Sequence, residues 1–422
     1  MKREQEESRF SDFARTAYFL RTAEQVAATV GDFMFGNPHE PASRRFTEVL
    51  AAAADPKGNA RYFAYTRTLK ELAEWVRGEF LPQEFDLHLT AGYYEEDETK
   101  IRGEEEIGST SKGTEIERDD EEKIMREEGI VVTNGAFSGL LCSLQALVDA
   151  GDEVIYLTPC WFFYRSQIVS LGAVPVRVEM RADENFALPI QRIAEALTSK
   201  TRVLLLNTPH NPTGRIFSEH ELSALSELLE PRGIFVIQDA AYQEVRFCRE
   251  RPPCFLSCYP RSLLVYTFGK VLLAPGQRVG FALCSPLMKP RERSLLTSAL
   301  SSAAFLTYSH ANALMQRCLP QLHADCRVDL SELMRRRDVL CSGLSTIGYA
   351  VVVPESTFYV LVAHPLMPIS VTPLVDRLAE RGVYVLDGIF CEIPSHFRIS
   401  LTATFSMCEL AIPIFQQVFH SF

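Results

Sequence analysis

Positions 267–281 carry the sequence TFGKVLLAPGQRVGF, directly after the apolar run Leu263–Tyr266. A short apolar run of this kind is typical of a buried strand, so Lys270 stands just beyond a strand end with apolar residues around it. An ordinary ammonium is a poor nucleophile at neutral pH, but low dielectric or a neighbouring cation favours the neutral amine. Lys270 is therefore a candidate covalent anchor. The alternative, a solvated surface lysine, is disfavoured by the apolar flanks and by Arg278.

The chain around this stretch alternates short apolar runs with helix-length segments. Helices are predicted at 140–148, at 161–171 and after Ser218, where Ser218 and Glu221 form a capping-box pattern. This alternation predicts an α/β fold whose large domain has a mostly parallel sheet covered by helices on both faces. Ligands in such sheets bind at the carboxyl ends of the strands. The runs that predict strands are 130–133, 153–157, 175–178, 203–206, 234–237 and 263–266.

From about Pro290 the pattern changes to long helices followed by further apolar runs and a final helix at 406–419. This change predicts a smaller α+β domain at 315–422, next to a large domain at 46–314. The apolar runs that predict its strands are 349–353, 357–362, 383–386 and 397–401.

The charge of the chain is concentrated in one segment. The net charge is −11, and between Tyr94 and Glu128 fifteen acidic and six basic residues give −9. This segment lacks apolar periodicity, so we predict a disordered acidic insertion, 94–128, in the large domain. A functional alternative is an active-site lid or a tail that binds a partner.

The composition excludes several classes of function. The 422 residues are 47% hydrophobic, as expected of a globular protein with a large core. The negative charge disfavours nucleic acid and anionic membranes as partners, and no apolar run is long enough to cross a bilayer. The 11 cysteines are scattered and form no C-x-x-C pair, which indicates neither a disulfide framework nor a metal site. We therefore expect a cytoplasmic protein.

Polar residues follow the predicted strands. Residues 207–214, NTPHNPTG, follow one strand, with an ordinary turn as the alternative interpretation. Asp239 follows another, where a carboxylate is costly to bury unless a cation or a donor meets it. Gly135 precedes a helix, which suits phosphate binding by backbone N–H groups. Arg398 stands between apolar residues and needs an anion, either a substrate carboxylate or a structural salt-bridge partner.

In this order and with compatible gaps, these motifs resemble those of the pyridoxal-phosphate (PLP)-dependent aminotransferases of class I/II, the aspartate aminotransferase family of fold type I. The resemblance runs from about Gly31 to Thr402 and leaves out the acidic insertion. Ala240 stands where the family most often has an acidic residue, and the segment 66–68 lacks the usual glycine. The family implies a homodimer in which an N-terminal segment, 1–45, packs with the small domain.

The resemblance also implies roles for individual residues. Lys270 would form a Schiff base with PLP, Asp239 would keep the pyridine nitrogen protonated, and Tyr242 would donate to the ring oxygen, so these three are the predicted catalytic residues. Asn211 would bind the ring oxygen and the substrate, and Trp161 would stack on the ring, with core packing as the alternative. The other predicted contacts are Ala136, Phe137, Thr267, Arg278 and, across subunits, Tyr65 for the phosphate, and Gly36 and Arg398 for the substrate.

The leading hypothesis is an aminotransferase that moves an amino group between an amino acid and a 2-oxo acid by a ping-pong cycle through Lys270. The first alternative is another fold-type I PLP enzyme that catalyses β- or γ-elimination or replacement, carbon–carbon bond formation or decarboxylation. The second is a PLP-binding regulator, disfavoured because fewer than about forty residues precede the match. The substrate side chain stays open, although Trp161, Phe358, Tyr359 and Tyr65 suggest an aromatic lining.

Overall fold

The computed structural model describes residues 30–59, 62, 64–89 and 129–422. The predicted insertion at 94–128 and most of the predicted segment 1–45 lie outside the described residues. Two sheets are present in the described chain. Their strands are β1 (Gly31–Phe33), β2 (Ile130–Thr133), β3 (Glu153–Thr158), β4 (Val174–Glu179), β5 (Thr201–Asn207), β6 (Phe235–Asp239), β7 (Ser262–Thr267), β8 (Gly280–Cys284), β9 (Ala350–Val352), β10 (Tyr359–Ala363), β11 (Val383–Asp387) and β12 (His396–Ser400).

The larger sheet has the strand order β2-β8-β7-β6-β5-β3-β4. Strand β8 runs antiparallel to both of its neighbours, and the remaining pairs are parallel. Strands β7 and β8 are buried along their whole length, because helices cover both faces of the sheet. The predicted mostly parallel sheet is confirmed. Strand β8 is antiparallel because the loop that carries Lys270 turns the chain back beside β7 without a crossover helix.

Helices form the outer layers of the described chain. The capping box at Ser218 is present, with both Ser218 and Glu221 bonded as expected. The helix expected from Trp161 begins only at Tyr164, because residues 161–164 form a turn in which the Tyr164 amide donates to the Trp161 carbonyl at 3.2 Å. The α-helices are α1 (Arg44–Ala53), α2 (Lys70–Trp75), α3 (Leu81–Phe85), α4 (Gly135–Leu147), α5 (Tyr164–Ser170), α6 (Ile190–Ala196), α7 (Glu219–Leu229), α8 (Pro290–Tyr308), α9 (Ala313–Asp325), α10 (Leu330–Ile347), α11 (Thr372–Glu380) and α12 (Phe405–Phe419).

The smaller sheet has the order β1-β11-β12-β10-β9 and combines the N-terminal strand with the C-terminal part of the chain. Strand β1 pairs with β11 in parallel, and β12 lies antiparallel between β11 and β10. Helices α10 and α12 pack together beside this sheet. The architecture agrees with an α/β fold that has a second, smaller α+β unit. The domain bounds 46–314 and 315–422 stay a prediction.

Three parallel strands place polar residues at one edge of the larger sheet. Asn207 ends β5, Asp239 ends β6, and Thr267 ends β7. In the strand register Asn207 lies beside Asp239, and Asp239 lies beside Val265. The carboxyl edge of the sheet is therefore where side chains from distant segments meet, as expected for this class of fold.

Candidate active site

A cavity of about 190 Å³ lies at this carboxyl edge. It brings together nine of the residues predicted from the sequence, and they come from the ends of different strands and from the start of α4. Its wall is formed by Ala136, Phe137, Leu140, Trp161, Asn207, Asn211, Asp239, Ala241, Tyr242, Thr267, Gly269, Lys270, Pro275 and Arg278.

Lys270 lies in this cavity between two aromatic faces. Its Nζ atom is 5.5 Å from the centre of the Tyr242 ring and 5.6 Å from that of Phe358. Both rings are buried, so they restrict water around the amine. Within the described part of the chain, Lys270 forms no salt bridge with a carboxylate. The amine is thus held in the cavity by aromatic packing and not by a salt bridge.

Asp239 is buried and presents its carboxylate to the same cavity. One oxygen accepts a hydrogen bond from the Tyr164 hydroxyl at 2.7 Å, and the other accepts one from the Ala241 amide at 3.1 Å. Burial raises the pKa of Asp239, whereas the two hydrogen bonds and the charge of Lys270 act to lower it. Among the described residues, no cation is bonded to Asp239. Its carboxylate could therefore pair with a cationic ring nitrogen.

The residues at the other end of the cavity are suited to bind an anion. Helix α4 begins at Gly135, whose φ is +77°, and a Cβ at that residue would lie 2.6 Å from Nη2 of Arg278 and 3.2 Å from Oγ1 of Thr267. Only glycine allows this close approach. Burial lowers the pKa of Arg278, which has no carboxylate partner in the described chain. A guanidinium beside a helix N-terminus fits a phosphate group.

Arg398 is 1% exposed and lies next to the cavity. Its guanidinium donates to Oδ1 of Asn211 at 3.0 Å and to the Met34 carbonyl at 2.8 Å. Its Nε atom has no hydrogen-bond partner among the described residues. The alternative of a structural salt bridge is therefore not seen in the described chain. A buried guanidinium bonded only to neutral groups is suited to binding a carboxylate.

Two tyrosines connect Arg398 with Lys270. The Cζ atom of Arg398 lies 3.7 Å from the centre of the Tyr359 ring, and the Tyr359 and Tyr242 rings pack edge to face with 5.9 Å between their centres. Burial raises the pKa of Tyr242 well above its ordinary value. Burial alone would also raise the pKa of Tyr359, but the charges of Arg398 and Lys270 lower it below its ordinary value.

Two predicted residues lie outside the cavity wall. Tyr65 is 88% exposed and packs against His310 at 5.0 Å between ring centres, so its role across subunits stays a prediction. Gly36 packs against the rings of Phe358 and Tyr359, and a Cβ there would come within 2.3 Å of Phe358. This close packing explains why a glycine is needed at position 36. The predicted place of Gly36 near the substrate is a separate matter and stays a prediction.

Sequence reasoning missed two residues that position the site. Tyr164 donates to Asp239, and the Asn207 side-chain amide donates to the Asp239 carbonyl at 2.9 Å while its oxygen accepts from the Asn211 amide. Asn207 could have been found as a polar residue at the end of an apolar strand, as Asp239 was. Tyr164 carries no such signal, since it lies within an aromatic run.

Known proteins match this chain over most of its length. The family model "Aminotransferase class I and II" matches residues 113–412. An aspartate/prephenate aminotransferase of Thermus thermophilus is 30% identical over 307 residues, 70% of this chain and 79% of the relative. Kynurenine–oxoglutarate transaminase 3 of Bos taurus is 25% identical over 271 residues, 60% of this chain and 59% of the relative.

Solved structures share the fold. An aminotransferase of Eubacterium rectale has a TM-score of 0.77 at 23% identity, with 97% of this chain and 95% of that chain covered. The Thermus thermophilus aspartate aminotransferase with maleate has a TM-score of 0.73 at 22% identity, with 97% and 96% covered. The fold is therefore that of the aspartate aminotransferases.

Fold and cavity together define a PLP enzyme of the aspartate aminotransferase fold. The chain belongs to the class I and II aminotransferases, a family that uses PLP. Among the described helices, none is both long and apolar enough to cross a membrane.

Proposed function

We propose that this protein transfers an amino group between an amino acid and a 2-oxo acid in two half-reactions. Lys270 is the covalent anchor and proton carrier, and Arg398 is the carboxylate site. The observation that carries the proposal is that Lys270 lines the cavity, that Arg398 donates to Asn211 of the cavity wall, and that neither cation forms a salt bridge among the described residues. A substrate that carries an amine and a carboxylate matches this pair.

The cavity residues fit PLP, each at a chemically suitable place. Bound PLP supplies an aldehyde that condenses with amines and a ring that accepts the electron pair left at the substrate Cα. Arg278, Thr267 and the first amides of α4 would hold its phosphate, and Asp239 would hold its ring nitrogen. Tyr242 and Asn211 would bind the ring oxygen, and Trp161, which lines the cavity, would cover one face.

Arg398 orients the substrate. Its hydrogen bonds to Asn211 and Met34 hold the guanidinium in place, and its buried Nε has no hydrogen-bond partner among the described residues, so Nε is a donor left for a substrate carboxylate. Asn211 also lines the cofactor cavity. It would therefore fix the position of the substrate carboxylate, bound to Arg398, relative to the substrate amine in the cavity.

Lys270 moves the proton. The neutral amine accepts the proton from the substrate Cα and returns it later in the cycle, and the buried rings of Tyr242 and Phe358 limit its exchange with water. Tyr164 and the Ala241 amide support the charged form of Asp239, which balances the positive charge that the reaction needs at the ring nitrogen.

A homodimer in the cytoplasm completes the proposal. The exposed side chains of Tyr65, Phe305 and Leu306 lie near His310 and form an apolar surface suited to a second copy, through which Tyr65 would reach the partner's phosphate. All 11 cysteines are free, which supports a reducing compartment. Sedimentation analysis tests the dimer, and Tyr65→Phe is expected to weaken PLP binding. A monomer that binds PLP normally would contradict this.

The central experiment uses the purified holoenzyme. We expect PLP absorbance that is lost or altered in Lys270→Ala, and conversion of the cofactor to its amine form by an amino acid alone, with one equivalent of 2-oxo acid released. Release of ammonia, carbon dioxide or a fragment of the side chain, detected by mass spectrometry, would instead favour elimination, decarboxylation or cleavage. An unchanged spectrum in Lys270→Ala would overturn the role of Lys270.

A further inference from the structure

Tyr359 lies between the carboxylate site and the proton carrier. It begins β10, which pairs with β12 so that Tyr359 stands opposite Ser400 and Leu361 stands opposite Arg398. Tyr359 and Arg398 are therefore diagonal neighbours on one face of the sheet, where long side chains reach each other. The guanidinium carbon lies 3.7 Å from the ring centre, close enough for a cation–π contact.

The Tyr359 ring also contacts the cofactor side of the site. It packs edge to face against the Tyr242 ring, with 5.9 Å between the ring centres. The Tyr242 ring in turn lies 5.5 Å from Nζ of Lys270. One ring thus contacts both Arg398 and the neighbour of Lys270.

The surrounding chain holds Tyr359 in this place. The ring is buried, and its hydroxyl lies 3.1 Å from the position of a Cβ on Gly36, so the Gly36 backbone closes one side. Phe358 packs edge-on at 5.1 Å, and the Tyr359 amide donates to Oγ1 of Thr357 at 3.1 Å. A side chain enclosed in this way has few alternative rotamers, which is a requirement for precise positioning.

Resting on the proposed function, we propose that Tyr359 is a positioning residue whose ring has two tasks. The ring supports the guanidinium of Arg398 for carboxylate binding, and it packs against the Tyr242 ring to hold that ring beside Lys270 for proton transfer. The charges of Arg398 and Lys270 around the phenol agree with this arrangement, because both stabilise electron density on its oxygen. A carboxylate bound to Arg398 would change the charge that Tyr359 experiences, so the two tasks are linked through one side chain.

The test separates the ring from the hydroxyl. In Tyr359→Phe the ring remains, so we expect KM for the amino acid and kcat within about twofold of wild type. In Tyr359→Met the space is filled without an aromatic face, so we expect KM to rise by about tenfold and kcat to fall by about tenfold. Binding of acetate to the holoenzyme, followed by the cofactor absorbance, is expected to weaken about tenfold in Tyr359→Met and to stay unchanged in Tyr359→Phe.

A matched control is Tyr349→Phe, which removes another buried hydroxyl, bonded to the Phe415 carbonyl at 3.1 Å, without touching the cavity. Its kinetics are expected to equal those of wild type. Equal KM, kcat and acetate affinity in the two Tyr359 variants would overturn the inference while transamination stands. If Tyr359→Met fails to fold, a tenfold loss of acetate affinity in Tyr359→Phe alone would overturn it, because the ring is still present in that variant. If wild-type holoenzyme converts no amino acid, the proposed function fails instead.

Discussion

Arg336 and Arg398 are both buried, 3% and 1% exposed, yet they have different kinds of partner. Arg336 on α10 donates to Glu332 at 3.0 Å, to Glu40 at 3.1 Å and to the Ala403 carbonyl at 3.0 Å. Arg398 meets only neutral groups in the described chain. A buried charge must be compensated by the fold or by a ligand. The comparison therefore supports the proposal that Arg398 binds the substrate, whereas Arg336 has its carboxylate partners within the fold.

The largest expected effect is that of Arg398→Gln, which removes the charge that lacks an anionic partner. We expect kcat/KM for amino acids to fall about 10³-fold, mainly through KM, because a bidentate carboxylate contact to a buried guanidinium is lost. The melting temperature should hold or rise, since no ion pair in the described chain is broken. Steady-state kinetics and thermal melts of the holoenzyme measure both. A strongly lowered melting temperature with an unchanged KM would reverse the assignment.

Arg336→Gln should show the opposite behaviour. We expect the free energy of unfolding to fall by about 3 kcal/mol, because Glu332 and the Ala403 carbonyl lose a buried donor. The contribution of Glu40 is smaller, since that side chain is largely exposed and screened by solvent. KM and kcat of the folded variant should stay within about twofold of wild type. Denaturant unfolding measures the stability of the variant, and steady-state kinetics measure its activity. A loss of activity without a loss of stability would contradict the structural role of Arg336.

His210 extends the comparison to a buried group that the fold keeps neutral. Burial lowers its pKa from 6.5 to about 3, and its ring bonds with Thr213. The unfolded chain takes up a proton that the folded chain does not, so this stabilisation is complete above pH 6.5 and is lost as the pH falls toward 3. Between pH 7 and pH 5 the loss is about 2 kcal/mol.

The variant His210→Asn should flatten this part of the pH profile of unfolding, because the titrating ring is gone while a polar group remains for Thr213. His396, whose pKa burial lowers to about 4, contributes in the same direction and should still be visible in the variant. An identical pH profile for wild type and His210→Asn would show that His210 is protonated or exposed in the folded protein.

The smallest effect is expected for Tyr164→Phe, which removes the 2.7 Å hydrogen bond to Asp239. We expect kcat to fall about tenfold, because Asp239 loses a donor that favours its charged form. Tyr156→Phe is the matched control, since Tyr156 donates to Glu392, a carboxylate outside the cavity wall. Equal losses in the two variants would indicate a general cost of removing a buried hydroxyl.

Structural features that depend only on a short segment are the ones that the sequence predicts best. The apolar runs at 203–206 and 263–266 are confirmed as strands β5 and β7, because both faces of these strands are buried. The same logic places Asp239 and Lys270 at the carboxyl edge. The antiparallel direction of β8 was not predicted, since it depends on how the Lys270 loop turns back.

Contacts between distant segments are harder to predict. The bond of Tyr164 to Asp239 joins residues 75 positions apart, and it requires the exact placement of α5 beside β6. Local sequence does separate Arg398, which stands between apolar residues, from Arg336, which stands between two arginines, but it does not show which carboxylates Arg336 meets. Only the tertiary fold decides which arginine receives carboxylate partners.

Lys270 and Arg278 stand eight positions apart on the single loop that joins β7 to β8. A cofactor bound to both side chains would link the two ends of this loop and restrict its motion. Loss of the cofactor would then make the loop more flexible. Rebinding of the cofactor would cost conformational entropy, because the same loop has to become ordered again. Retention of the cofactor would thus depend on the loop between β7 and β8.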